Sequence, residues 1–517
     1  MNQKKKVSIF ARMLGAIENF GNRLPHPITL FAVLTLGIML LSWVCALCGV
    51  SATGEIIDPA TMEVGSQTVT AVSLLSREGI AYMLTHLISN FTGFAPLGVV
   101  LVTMLGTGCA EGSGYLSALL RRLAGVTPRA LVTPMLVFLG VLSNVATDVG
   151  YVVLVPLGAL LFMACGRHPL AGLAAAFAGV SGGFSANLMI GALDPMLAGI
   201  STEAAGLIDP GAEVLVTDNW YFMMVSTFLI VLIGTLVTDR IVEPRLGRYV
   251  SAAPEEASLS DLSAQEKKGM RAANLTLVFL AAALIAAAIP SNSPLRNPET
   301  GSLTTGAPLM DGLIVLIALL FFVPSVIYGR VTGVYKGERD VCRQLEKNMS
   351  AMGGYIALIF VAAQFVGFFS YSKLGTILAL KGADFLKASG VSGPVLMVLF
   401  VLLTATVNLV MGSASAKWTV LAPVFVPMFM MLGYSPALTQ VAYRIGDSCT
   451  NLITPLMSYF AMIVVFARRY DQKAGIGTLI SMMLPYSLFF LVGWSLLLVF
   501  WMVLGLPLGP GAGLSWG

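Results

Sequence analysis

Arg444 and Asp447 stand three residues apart in YRIGDSCTNLITP, within an apolar run of membrane length. On a helix that spacing puts both side chains on one face. An ionisable residue at membrane depth is costly without a partner, and its default reading is functional. Two readings are open. The pair neutralises itself as a structural element, or the planar fork of Arg444 takes a substrate carboxylate. In the second, Asp447 holds Arg444 in place or binds a coupling cation. Asp194, in GALDP, is the matching acid earlier in the chain. It caps a turn, binds Na⁺ with freed backbone carbonyls, or carries a proton. Asn187 and Asn451, each followed by Leu, offer a side-chain oxygen to a cation or hold loop backbone, and Asn408 is a further candidate for a cation shell. Ser413 and Ser415 precede an apolar run, where a half-helix N-terminus with two hydroxyls suits an anion. The plainer reading of both serines is capping. Trp418 presents a flat face for an aromatic ring or is an interfacial anchor. Lys417 is a counter-ion or snorkels, and Glu111 reads as structural.

These residues fall in one unit written twice. Asn408 to Pro455 is an apolar run broken by MGSASAK, then a second broken by GDSCTN; Asn144 to Pro195 is broken at SNVATDVG and again at SGGFSANLMIGALDP. Asp148 lies eight residues before Pro156, as Ser415 does before Pro423. Pro156 lies thirteen before Pro169, as Pro423 does before Pro436. Lipid offers no partner to freed backbone groups, so small and polar breaks at membrane depth need a cavity or a ligand. Breaks at corresponding places in two halves point to the substrate site of a secondary transporter.

The scaffold follows from composition. With 57% hydrophobic and 11% charged residues, the chain lies far from the roughly 25% charge of soluble domains. Long apolar runs recur, which predicts an all-α polytopic membrane protein and excludes an outer-membrane barrel. Spans are expected near 28–50, 96–118 (broken or kinked at GTGCAEGSG), 169–200, 219–238, 273–290, 309–328, 351–371, 437–467 and 480–504. Hairpins are expected near 130–165 and 393–432, and 51–90 reads as a polar stretch. Residues 1–27 read as an interfacial amphipathic helix, 28–129 and 201–392 as scaffold with a cytoplasmic linker at 239–272. Residues 130–200 and 393–467 form the two core repeats, and 468–517 the last helix and tail.

Charge tests this arrangement. With nine spans, a cytoplasmic N-terminus and each hairpin re-entrant, 23 of the 30 Lys and Arg residues fall inside and five outside. If each hairpin crossed fully, the asymmetry would collapse. The scheme opens the first hairpin to the cytoplasm and the second to the outside: an inverted repeat, suited to alternating access. Six scattered cysteines and three unclustered histidines give no zinc site, and Cys45-x-x-Cys48 sits in an apolar helix without redox context. No G-x-x-x-x-G-K-[ST] motif is present, so neither ATP nor another cofactor is expected, and nothing points to nucleic acid. An intramembrane aspartyl hydrolase using Asp194 and Asp447 as a dyad is the remote alternative.

The segments ENFGNRLPHPITLF, NFTGFAPLGVVL, GRHPLAGLAAAFAGVSGGFSANL, DNWYFM, GSASAKWTVLAPVFVPMFMMLGYSPA and YRIGDS resemble the aminobenzoyl-glutamate transporter (AbgT) family, from about Glu18 to the end. The resemblance implies a homodimer in the bacterial inner membrane, with nine helices and two opposed re-entrant hairpins per subunit. It implies cation-coupled transport (Na⁺ or H⁺) of p-aminobenzoyl-glutamate, or export of sulfonamide antimetabolites. It carries functional roles onto Asp194, Asn408, Ser415, Trp418, Pro436, Arg444, Asp447 and Pro455. An ion-coupled carrier of another dicarboxylate, which would dispense with Trp418, is the nearer alternative.

Overall fold

A computed structural model describes residues 27–57, 64–125, 128–146, 150–247, 249, 262–303, 307–391, 393–454, 457 and 459–516. The expected interfacial helix before residue 27, Asp148, residues 248 and 250–261 of the linker, and Pro455 lie outside the described residues.

Helix α1 (Pro27–Leu47) is apolar on all sides, and its outward side chains, Leu36, Leu40 and Leu47 among them, are exposed as lipid would require. The stretch read as polar is more ordered than expected. It forms an antiparallel hairpin, β1 (Ser51–Ile57) with β2 (Val64–Thr70), then α2 (Arg77–Thr92), capped by Ser76. Short alternating Thr and Val segments with little apolar mass are easily missed as strands. α3 (Ala95–Gly112) ends at a turn through Gly114 (φ +80°) before α4 (Tyr115–Gly125), so of the two expectations, break or kink, the break is the one seen.

The first repeat is α5 (Val132–Ser143), continued by a 3-10 turn at Asn144–Ala146, and α6 (Val155–Ala164), entered through a π-helical turn at Gly150–Leu154. α7 (Pro169–Phe177) follows, opened by His168, whose Nδ1 accepts from the Leu170 N–H at 3.2 Å. Its last turn widens to a π-helix at Ala178–Gly182. The chain then unwinds until α8 (Leu193–Ala205). Gly140 and Gly179 let the first hairpin and α7 touch: a Cβ on Gly140 would sit 2.7 Å from Gly179 Cα.

α9 (Trp220–Val237) leads to α10 (Ala264–Ala288), α11 (Leu313–Thr332), α12 (Glu338–Ala351), α13 (Gly353–Tyr371) and α14 (Leu374–Ser389). The second repeat mirrors the first in element order. α15 (Gly393–Asn408) and α16 (Ala414–Met430) flank a non-helical tip, α17 (Pro436–Asn451) follows, and the chain unwinds before α18 (Phe460–Arg468). α19 (Ile476–Val503) closes the helical set. Every residue of α17 is buried, and its start is set by Pro436 at the first position and by Ser435 Oγ accepting from the Leu438 N–H at 3.2 Å.

Six described helices are long and apolar enough to cross a membrane: α1, α9, α10, α11, α13 and α19. The repeat helices are shorter, with 12, 16 and 17 residues in α5, α15 and α16. At 1.5 Å per residue such helices reach roughly 18–26 Å, less than the ~30 Å hydrocarbon core. One expectation needs correction. GDSCTN does not break its helix; α17 runs through to Asn451, and unwinding begins at Leu452. Satisfied intrahelical backbone there is cheaper than a loop, since each residue of the helix is packed on all sides.

The two repeats share one core with α9 and α19, containing Phe177, Leu197, Trp418, Tyr443, Phe490 and Trp494 among many others. α1, α2, α13 and α14 hold a second core that meets the repeats through Ala416. α8 lies against α16, and α17 against both α15 and α19, so α17 sits at the centre of the molecule.

Candidate functional site

The charged residues on α17 pair outward, each with a different element. Arg444 Nη2 donates to Asp194 Oδ1 at 2.5 Å and to the Ser185 carbonyl at 3.1 Å. Asp447 Oδ1 lies 2.5 Å from Lys417 Nζ. The expectation that Arg444 and Asp447 hold each other is therefore corrected. Both point from one face, but each meets an opposite charge supplied across a packed interface, which is closer than its helical neighbour.

Asp194 occupies the first turn of α8, where the helix dipole favours a carboxylate, and its Oδ2 accepts from the Gly191 N–H at 2.7 Å. The Arg444–Asp194 bond thus joins the two repeats at the first break. Arg444 is only 2% exposed, yet among the described residues its Nε and Nη1 have no hydrogen-bond partner. Asp447 Oδ2 is likewise without one. Buried donors and acceptors left open cost about 1–3 kcal/mol each, more when charged, so this centre is held short of its best satisfaction. A cavity of about 10 Å³, room for one water, borders Asp194, Asn187 and Trp220.

Asn408, expected in a cation shell, closes the end of α15. Its Nδ2 donates to the Asp447 carbonyl (2.6 Å), Thr450 Oγ1 (2.9 Å) and Asn451 Oδ1 (2.8 Å). Its Oδ1 accepts from Lys417. The oxygens of Asn408 and Asn451 are thereby engaged within the chain. Asn187 holds loop backbone, as its alternative had it: Nδ2 donates to the Val141 carbonyl at 3.3 Å, and Oδ1 accepts from the Met189 N–H at 3.3 Å. Ser448 Oγ, which sequence reasoning passed over, accepts from the Ser185 N–H at 3.1 Å and stitches α17 to the first break. Ser413 caps α16, accepting from the Ala416 N–H at 3.4 Å, and its hydroxyl lies 3.3 Å from that of Ser415. These tip serines are the accessible members of the set.

Trp418 is fully buried. Its ring stacks on Tyr443 at 4.4 Å and 28°, and Nε1 donates to Ser201 Oγ at 3.0 Å. Ser201 donates on to Gln440 Oε1 (2.7 Å), and Gln440 Nε2 donates to Asn219 Oδ1 (2.8 Å). The face expected to meet a substrate ring is covered by Tyr443, in an offset stack of the kind buried aromatic pairs prefer. The chain Trp418–Ser201–Gln440–Asn219 links both repeats to the scaffold helix α9, and no sequence spacing announced it. A cavity of about 480 Å³ lies apart, between α2, α13 and the end of α8, with Glu203, Asn90 and Tyr82 on its walls. Among the described residues no cluster of His, Cys, Asp or Glu is arranged to hold a metal ion.

A family model described as the AbgT putative transporter family matches residues 12–516. The p-aminobenzoyl-glutamate transport protein of Escherichia coli (strain K12) is 39% identical over 500 residues, 97% of this chain and 96% of that protein. Two solved structures superpose closely. The Alcanivorax borkumensis YdaH transporter has a TM-score of 0.87 at 49% identity, covering 94% of this chain and all of that one. Neisseria gonorrhoeae MtrF, described within a class of antimetabolite efflux pumps, has a TM-score of 0.91 at 50% identity, covering 97% of this chain and all of that one. The relatives are transporters, which removes the aspartyl hydrolase; here Asp194 and Asp447 also answer to different cations instead of sharing a proton. The chain is a multi-pass membrane transporter and belongs to the AbgT family.

Proposed function

We propose that this chain is a cation-coupled secondary transporter of p-aminobenzoyl-glutamate, with sulfonamide-type antimetabolites as alternative cargo. It works as a homodimer in a bacterial inner membrane, N-terminus in the cytoplasm, with nine spans and two opposed re-entrant hairpins per subunit. The short repeat helices support that topology, since none spans a hydrocarbon core alone.

The observation that carries the reading is Arg444. It is buried between the two repeats, tied to Asp194 through one nitrogen, with Nε and Nη1 unpartnered among the described residues. A substrate carboxylate would complete its fork. In taking Arg444 the carboxylate competes with Asp194, which on release needs another cation, Na⁺ or H⁺. Substrate entry and ion uptake would then be one event. Ser413, Ser415 and the α16 N-terminus supply a second anion-binding locus at the tip, while Pro436 and Pro455 flank the moving helix. Trp418 meets the arene once the Tyr443 stack opens.

The test is flux of labelled p-aminobenzoyl-glutamate into proteoliposomes. Wild-type protein should transport it under an imposed Na⁺ or pH gradient. Arg444→Ala should lower flux by at least tenfold while leaving the dimer assembled. Unchanged flux in that variant removes the proposed site. The buried state of Trp418 favours one second reading, a carrier of another dicarboxylate. Competition by succinate, with none by p-aminobenzoyl-glutamate, would select it.

A further inference from the structure

The Lys417 ammonium is fully buried at the non-helical tip between α15 and α16. Three oxygens surround it: Asp447 Oδ1 at 2.5 Å, Asn408 Oδ1, and the Met411 carbonyl at 3.2 Å. Two of its three N–H donors go to the Asn408 and Met411 oxygens, and the Asp447 carboxylate faces the ammonium as an ion pair. The ring of Tyr443 lies 5.9 Å away, on the same α17 face as Asp447. Each oxygen has a separate structural reason to be there. The Met411 carbonyl lies past the end of α15: the Met411 N–H still donates to the Val407 carbonyl at 3.0 Å, while residues 411–413 belong to neither α15 nor α16. The Asn408 amide is turned by its three acceptors on α17, which leaves Oδ1 facing Lys417. Asp447 comes from α17 itself.

A carboxylate, an amide oxygen and an unwound carbonyl at a broken helix form the ligand type that takes a free monovalent cation in secondary transporters. Here a side chain of the protein fills the place. We infer that Lys417 is a tethered cation: its ammonium permanently occupies a monovalent-cation cage of Asp447, Asn408 and the Met411 carbonyl, and shortening the side chain opens that cage to a free cation. The inference rests on the transporter reading above. It assigns the fixed charge to the second repeat and leaves the mobile ion to the Asp194 side.

Lys417→Ala tests it, in purified full-length protein in detergent, by thermal melting in choline, Na⁺ or K⁺ chloride at equal ionic strength. The variant should gain a saturable rise in melting temperature with Na⁺ or K⁺, larger than any response of the wild type, as binding to the folded form alone requires. The double variant Lys417→Ala/Asp447→Asn, which removes both charges, should show the wild-type response only. A Lys417→Ala chain whose response is no larger than wild type, or which folds in none of the three salts, overturns the inference. So does a double variant that responds as strongly as the single one. Melting needs no substrate, so the cage stands or falls apart from the cargo. If wild-type flux of p-aminobenzoyl-glutamate is absent while the variant's melting response appears, only the transport reading fails.

Discussion

Arg444 and Asp447 share a helix face, yet the partner of each comes from elsewhere: Asp194 from α8, Lys417 from α16. Spacing along one helix reports which side chains are neighbours, whereas the partner in a packed interior is decided by what the facing element supplies. This is why the sequence shows these four residues to be special but not how they pair. Breaking a buried pair leaves an uncompensated charge, at a cost of about 3–5 kcal/mol. Arg444→Met should therefore melt well below wild type. The double variant Arg444→Met/Asp194→Asn keeps a side-chain acceptor for Gly191 and carries no orphan charge, so it should recover most of the lost stability. Transport should stay absent in both. Thermal melting with flux on the same preparations separates the two effects, and a double variant that regains flux would show that Arg444 serves only to neutralise Asp194.

At the scale of elements, the repeats were legible because each break needs small or polar residues where lipid tolerates few. The matched Pro-to-Pro spacings correspond to matched elements: α7 opens at Pro169 after α6, as α17 opens at Pro436 after α16. The end of α17 was misplaced because Gly, Ser, Asn and Asp inside a fully buried helix mark close packing as readily as unwinding: Gly446 faces the backbone of α15 at Val401. The helices α2, α12 and α14 and the β1–β2 hairpin escaped, since their side chains are mixed in polarity and tertiary packing decides their form. The connection between α8 and α9 carries a measurable consequence. Burial, with Glu213 adding repulsion, pushes the Asp218 carboxyl up to about 7, and its Oδ2 accepts from the Leu215 N–H at 3.0 Å. A raised carboxyl holds its proton longer in the folded chain, so this group's contribution to stability is greatest below its ordinary value near 4 and is lost as pH rises to about 7. Asp218→Asn keeps the acceptor without the charge. Its melting temperature should match wild type near pH 4 and exceed it at pH 7 and above; an equal difference at every pH would point to packing alone.

For the whole molecule the ordering principle is the distribution of Lys and Arg across the spans. The cytoplasmic assignment gathers Arg167, which bonds Asp239 at 2.6 Å as well as Glu243 and Thr133, tying the base of the first hairpin to the end of α9. It also gathers α12, rich in charge, and the Arg121–Glu266 pair between α4 and α10. The opposite side holds the β-hairpin, α2 and α14. An excess of Lys and Arg near one end of the spans disfavours translocation of that end, which is the physical basis for the proposed orientation. Two native cysteines report on it directly. Cys48, just beyond α1, and Cys342, on α12, are both exposed and sit on opposite sides of the proposed topology. A membrane-impermeant maleimide applied to spheroplasts should modify Cys48 and spare Cys342. Inside-out vesicles should reverse the pattern, and a Cys342→Ser chain should lose only the vesicle signal. Because a single reagent reads both sides in one chain, modification of Cys342 in intact spheroplasts would invert the orientation, and with it the faces to which the two hairpins open.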